Sequence, residues 1–314
     1  NNVNSEDPKS LVEYLDEYVI GQDESKKAVA VAVSSLAVRM KTGDETLPKM
    51  NTILIGPTGV GKTYMMKILS QKLGLPFAQA KLVGRSTEGY KGQNVSTVFD
   101  QIYSKTKGQE APYGIVFLDE VDKLANDEWG SGSGYGSRIQ KELIGWVEEE
   151  IISREIGEGA SRSQYQLNTK NLLFVTAGAF QGQGKRDALT HIISQRLAGG
   201  KQIGFGAAAS RADDHQFLLS QVQPVDLISW GFLPELVGRF PVIATLNQLS
   251  EKDRICILTE AKDSPLDGYV RLLAARGYTI QDYHQLAGLI VSRCPPETGA
   301  RGLSSVCSQL FRNV

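Results

Sequence analysis

The octapeptide Gly56-Pro57-Thr58-Gly59-Val60-Gly61-Lys62-Thr63 fits the pattern G-x-x-x-x-G-K-[ST]. Its glycines let successive backbone N–H groups curl around a chain of phosphates, and a helix opening at Lys62 adds the positive end of its dipole. In that setting Lys62 neutralises the β and γ phosphates, and the Thr63 hydroxyl is a ligand for Mg²⁺. Tyr64 follows directly and is grouped with the loop as a nucleotide contact. A second constellation stands at 114–120, where an apolar run ends in Asp119-Glu120. Asp119 suits a water-mediated contact to the metal, and Glu120 suits polarising an attacking water beside the γ-phosphate. Acids are common at strand exits, so it is the pairing with the glycine-rich loop that gives these two their weight. Together the two constellations read as a nucleotide-phosphate and Mg²⁺ site suited to hydrolysis.

Such a site needs a strand before the loop and a helix after it. Ile53, Leu54 and Ile55 supply the strand, and Met65, Ile68, Leu69 and Leu73 share one face of the helix. Further short apolar runs at 77–80, 115–118, 172–175 and 242–244 alternate with helical patterns, which predicts an α/β fold with a mainly parallel sheet. Ahead of it, 11–19 reads as a short helix ending at Gly21, and 23–40 as a second one. After Thr245 the pattern turns helical, at 250–260, 265–276 and 281–292. The expected organisation is a flexible N-terminus over 1–10, a large ATPase domain over 11–245, and a small helical domain over 246–314. The patch GSGSGYGS at 130–137 reads as a mobile loop.

Length and composition narrow the class. With 314 residues, two domains are expected. A net charge of -1 supplies no global field toward nucleic acid or anionic membrane, so neither is expected as a partner. Cys256, Cys294 and Cys307 are widely spaced and without a C-x-x-C pair, which predicts neither a disulfide framework nor a zinc site and points to a reducing compartment. No apolar stretch approaches 18 residues, and no signal peptide is recognisable at the N-terminus.

These motifs resemble those of the AAA+ ATPases and, more narrowly, of the ClpX-like unfoldase subunits of Clp proteases, with HslU a more distant likeness. The resemblance runs along nearly the whole chain. It is carried by 15–22 (LDEYVIGQ), both nucleotide motifs, Gly178-Ala179-Phe180, 233–239 (LPELVGR) and 298–303 (TGARGL). It implies an AAA+ P-loop parallel-sheet domain followed by a small, mainly helical one, and a homo-oligomeric, hexameric ring that unfolds proteins and passes them to a ClpP-like peptidase. By position in these motifs, Val19 and Ile20 would pack on the adenine, Arg239 would be the arginine finger offered to a neighbour's ATP, and Arg301 the second sensor. Thr176 is a candidate first sensor.

The resemblance further implies that Tyr90 and Lys91, within Gly89-Tyr90-Lys91-Gly92, face the axial pore and grip unfolded or tagged protein substrates. Lys91 departs from the usual valine. Ile203-Gly204-Phe205 resembles the loop that docks on the peptidase ring, a feature HslU lacks. No cysteine-rich segment precedes residue 11, so no zinc is expected in this chain. The stretch 156–168 holds only Arg162 where the family carries an Arg-Lys-His cluster, and the chain ends soon after the second-sensor motif, as an apparently truncated small domain. The implied compartment is a bacterial cytoplasm or a mitochondrial matrix. The alternatives are a remodelling ATPase or chaperone that uses no peptidase, and a nucleotide-binding scaffold with little turnover.

Overall fold

The computed structural model describes residues 4–82, 95–125, 134–157, 162–182, 188–199 and 211–313. Seven strands are found among them: β1 (Thr52–Ile55), β2 (Phe77–Lys81), β3 (Gly114–Asp119), β4 (Ile151–Ile156), β5 (Ser163–Asn168), β6 (Leu172–Gly178) and β7 (Val242–Thr245). The helices are α1 (Pro8–Asp16), α2 (Asp23–Thr42), α3 (Lys62–Leu73), α4 (Thr97–Lys105), α5 (Tyr135–Glu148), α6 (Leu189–Leu197), α7 (Arg211–Ser220), α8 (Pro224–Trp230) and α9 (Pro234–Val237). After β7 come α10 (Glu251–Thr259), α11 (Asp267–Ala275), α12 (Tyr283–Ser292) and α13 (Gly299–Leu310).

Five strands form one parallel sheet in the order β2-β3-β6-β1-β7. The chain leaves β1 for β2 at one edge, works back through β3 and β6, and crosses β1 to reach β7. The reversal of direction beside β1 opens a crevice at the carboxyl ends of the strands, where α/β sheets bind their ligands. Both faces are covered, which is why β1 and β6 are buried along their whole length instead of alternating. One face packs Phe99, Phe174, Leu143 and Trp230; the other packs Leu11, Leu15, Val33, Met65 and Leu69. A third, smaller core of Leu258, Leu266, Ile290 and Leu303 holds α10 to α13 together. The fold is thus the α/β parallel sheet with a helical C-terminal part that the alternation of apolar runs predicts.

Three local expectations are corrected. Residues 8–10 are helical, because Asp7 accepts hydrogen bonds from the N–H groups of Lys9 and Ser10 and Pro8 occupies the first turn. The end of the serine-glycine patch is helical too: α5 begins at Tyr135, entered through Gly134 in a left-handed turn (φ 53°); residues 130–133 lie outside the described residues. Strands β4 and β5 form an antiparallel hairpin, pairing Ile152 with Leu167 and Arg154 with Tyr165, where no strand was expected. Their sequences offer few inward apolar residues, and the hairpin is tied down by polar contacts. Arg154 and Tyr165 both bond the carboxylate of Asp100 on α4, at 2.8 and 2.6 Å.

Candidate active site

Backbone geometry sets the phosphate-sized cradle first. Leaving β1, Gly56 donates its N–H to Gly178 O at 3.0 Å, which ties the loop to the end of β6. Gly59 (φ 79°) and Gly61 (φ 104°) take left-handed backbone that a Cβ would strain, and a Cβ on Gly59 would stand 2.5 Å from Thr298 O. Helix α3 then starts at Lys62, with Met65 N donating to Gly61 O as its first bond. The helix therefore aims its amino end into the crevice.

A cavity of about 370 Å³ lies above this end of the sheet. The loop and α3 contribute Thr58, Gly59, Gly61, Lys62, Thr63 and Tyr64 to its wall. Strand β3 and the turn after it contribute Asp119, Glu120, Asp122 and Lys123; Lys81 enters from the end of β2, and Gly178, Ala179 and Gln181 from the end of β6. The last wall is the amino end of α13, with Ala300 and Arg301. One cavity thus gathers Lys62, Thr63, Asp119, Glu120 and Arg301 from three separate stretches of chain.

Lys62 is buried, and its Nζ donates to Gly56 O at 2.5 Å and Pro57 O at 2.6 Å. Burial lowers its pKa to about 8, and Arg301 nearby pushes the same way, while Asp119 and Asp122 oppose the shift. The unfolded chain therefore binds more protons than the folded one between about pH 8 and the ordinary lysine range, so this residue makes stability rise with pH across that window. A bound polyphosphate would favour the charged form. At pH 9, binding is expected to take up about one proton, and at pH 7 almost none. Calorimetry in two buffers of different ionisation heat reads this directly; equal uptake at both pH values, or uptake retained in Lys62→Ala, would remove Lys62 from the phosphate site.

Glu120 sits at φ 63°, a left-handed conformation uncommon outside glycine and costing about 1 kcal/mol or more. It is held there because its N–H donates to Asp119 Oδ1 at 2.9 Å and its carbonyl accepts from Lys123 N at 3.1 Å. The turn points Glu120 into the cavity, where Lys81 Nζ bonds its Oε1 at 2.9 Å. Asp122 lies deeper, 3% exposed, accepting from Phe180 N at 3.2 Å, and burial raises its pKa. Neither Lys81 nor Asp122 stood out in the sequence. Only the folded sheet brings the end of β2 beside the end of β3.

Other candidates fall elsewhere. Gly56 and Pro57 act through the carbonyls that hold Lys62, and Val60 is buried in the core beneath the loop. Val19 is buried in the same core and Ile20 is half-buried; neither lines the cavity. Thr176 is buried in β6, its Oγ1 lacking any partner, below the cavity instead of on its wall. Tyr90 and Lys91, and Ile203, Gly204 and Phe205, lie outside the described residues. Arg162 pairs with Glu155 on the β4–β5 hairpin at 3.3 Å.

Arg239 is at the opposite edge of the sheet. Its carbonyl accepts from Asn51 Nδ2 at 3.3 Å, and Asn51 O accepts from Val242 N, so Arg239 stands where β1 and β7 begin. The cradle lies where β1 ends. The four residues of β1 interpose about 13 Å at roughly 3.3 Å per residue. No rotamer of Arg239 reaches the phosphate cradle of its own chain.

The helical C-terminal part touches the cradle through main chain. Ala300 N donates to Gly59 O at 3.0 Å, and a Cβ on Gly299 (φ 56°) would come within 2.6 Å of the same oxygen. Farther out, Lys262 N donates to Glu17 O at 2.7 Å, and Gln22 exchanges two 2.8 Å bonds with the backbone of Asn247.

The donor set fits a nucleotide and its Mg²⁺: a glycine cradle closed to side chains, one buried ammonium, a hydroxyl at Thr63 and a carboxylate at Asp119 on one cavity. Among the described residues no cluster of three or more His, Cys, Asp or Glu could hold a metal by itself, and a P-loop asks for none, because phosphate oxygens supply the remaining ligands. No helix among the described residues is long and apolar enough to cross a membrane.

Comparison with known proteins shows the family. The family model described as AAA domain (Cdc48 subfamily) matches residues 47–243, from the strand before the cradle into β7. The ATP-dependent Clp protease ATP-binding subunit ClpX of Treponema denticola is 32% identical to this chain, over 97% of the chain and 75% of the relative.

Proposed function

Since the chain belongs to the ClpX-type AAA+ ATPases, we propose that this ATPase is a ring-forming protein unfoldase whose nucleotide site is completed by a neighbouring subunit. The observation that carries the reading is the placement of Arg239 at the far end of β1 from the cradle. A guanidinium offered there can serve only another chain's phosphates. In this reading Lys62, Thr63, Asp119, Glu120 and Arg301 act on the nucleotide of their own subunit, and Arg239 acts across the boundary.

Mg²⁺, when bound, would neutralise the phosphate charge; Thr63 and Asp119 are the residues that would hold it, Asp119 through water. Glu120 takes the proton of the attacking water. The cradle N–H groups and Lys62 stabilise the charge that builds on the phosphates, and Arg301 does so from α13. Because the loop and the Thr298–Ala300 backbone are in direct contact, loss of the terminal phosphate from the cradle is felt by the helical part, and the resulting change of angle drives the stroke. Tyr90 and Lys91 would grip the moving polypeptide, and Ile203, Gly204 and Phe205 would dock on a ClpP-like peptidase, in a bacterial cytoplasm or a mitochondrial matrix. Support for these finer steps is the kinship with ClpX and the motifs themselves.

The test is phosphate release against protein concentration. Specific activity is expected to fall steeply on dilution, in step with ring mass measured by light scattering. A strictly monomeric sample that turns over ATP as fast as assembled material would overturn the shared-site reading.

A further inference from the structure

The edge of the sheet that carries Arg239 holds a second cavity, of about 320 Å³, bordered by Lys49, Asn51, Glu148 and Arg239 among others. Glu148 is the last residue of α5, and it bonds two of these neighbours at once. Its Oε1 accepts from Arg239 Nε at 2.7 Å and also from Nη2, while its main-chain carbonyl accepts from Lys49 Nζ at 3.2 Å. Arg239 Nη1 donates to Glu235 O at 2.9 Å. Three of the five guanidinium hydrogens are therefore used inside the chain. One hydrogen on Nη1 and one on Nη2 remain, enough for the forked contact that a phosphate accepts.

The support beneath Glu148 is rigid. Thr169 and Glu150 are joined by two 3.0 Å bonds where the chain turns from α5 into β4, so the helix end is clamped to the turn before β6. Asn51, just ahead of β1, holds the Arg239 backbone and accepts from Phe174 N of β6 at 3.0 Å. Backbone and side chain of Arg239 are thus fixed from separate elements. The ion pair itself is half-exposed, Arg239 at 32% and Glu148 at 51%, and an exposed pair of this kind contributes little to stability. A contact so built and so weak is better suited to aiming a side chain than to holding the fold.

The geometry points to Glu148 as a positioning residue for Arg239, orienting the guanidinium toward the nucleotide of the next subunit. The inference rests on the shared-site reading above. A long flexible side chain aimed in advance loses less freedom when the transition state forms, so the benefit falls on turnover more than on ATP affinity. Glu148→Ala is therefore expected to lower kcat about tenfold with KM for ATP changed less than about twofold. Glu148→Gln keeps an oxygen acceptor in place and should retain most of the rate.

Mixed rings separate this role from a structural one. Subunits with Lys62→Ala, which cannot use nucleotide but still offer Arg239, are mixed with Arg239→Ala subunits, which hold nucleotide but lack the finger. The mixture is expected to regain activity that neither parent has. Adding Glu148→Ala to the subunit that offers Arg239 should cut the regained rate about tenfold. Placed in the other subunit, where there is no Arg239 side chain to orient, the same change should leave the regained rate within about twofold. Equal losses from either placement, or no loss from the first, overturn the positioning role while leaving the shared site intact. No regained activity in the parent mixture sinks the shared site, and the inference falls with it.

Discussion

Glu120→Gln is expected to bind ATP within about threefold of the native affinity and to hydrolyse it at least about 10²-fold more slowly, the range assigned to general-base catalysis. The substitution is nearly isosteric, and the backbone that fixes the site is unaffected by it: the 2.9 Å bond from Glu120 N to Asp119 Oδ1 and the turn closed by Lys123 N both remain. What is lost is the carboxylate that could take a proton from water. Affinity should survive because the groups expected to bind phosphate, the cradle N–H groups and Lys62, come from a different stretch of chain. Fluorescent-nucleotide titration and phosphate release measure the two quantities separately. Native-like turnover would remove Glu120 from the mechanism and leave Asp122 as the next carboxylate to consider.

Arg239→Ala should have the larger effect, a loss of about 10³ to 10⁵ in turnover, as for other fingers that stabilise the charge of phosphoryl transfer. Isolated subunits should bind nucleotide normally, since the residue is on the wrong side of the sheet to touch it. Folding should also survive, because the bond from Asn51 Nδ2 uses the Arg239 backbone and not its side chain. Arg301→Ala provides the contrast: that side chain lines the cavity of its own chain, so its removal should weaken nucleotide binding in dilute subunits as well. Should Arg239→Ala abolish binding by isolated subunits, or leave ring turnover intact, the finger role is wrong.

The parts of this machinery that can be read in the sequence are the ones encoded by adjacent residues. The cradle is legible because phosphate binding by backbone demands glycines at fixed offsets from Lys62, and the Asp119-Glu120 pair because it directly follows an apolar strand. The order of the strands is not written in any local pattern, yet it decides that β6 separates the cradle from Asp119 and that Lys81 meets Glu120. Glu148 is one acid among three in a row, 148–150; only the fold, by bringing Lys49 and Arg239 to it, distinguishes it. The β4–β5 hairpin escaped for a different reason. Ile151 points outward at 61% exposure, and Ser153 to Glu155 are polar, so the alternation that marks a half-buried strand is too faint. The glycine at 299 looks like a turn residue in the sequence, whereas in the fold its missing side chain is what lets α13 come up against the loop.

If Arg239 serves a neighbour's nucleotide, its placement at the opposite end of β1 from the cradle also bears on how copies of this chain can associate. A two-fold pair could complete two sites at once only if cradle and arginine belonged to one self-complementary patch, each meeting the other across the axis. A heterologous contact, front of one subunit to back of the next, needs no such coincidence, and it either closes into a circle or continues as a filament. In an open row of such contacts the last subunit would keep its fuel unburnt, and closure would give every site its missing cation.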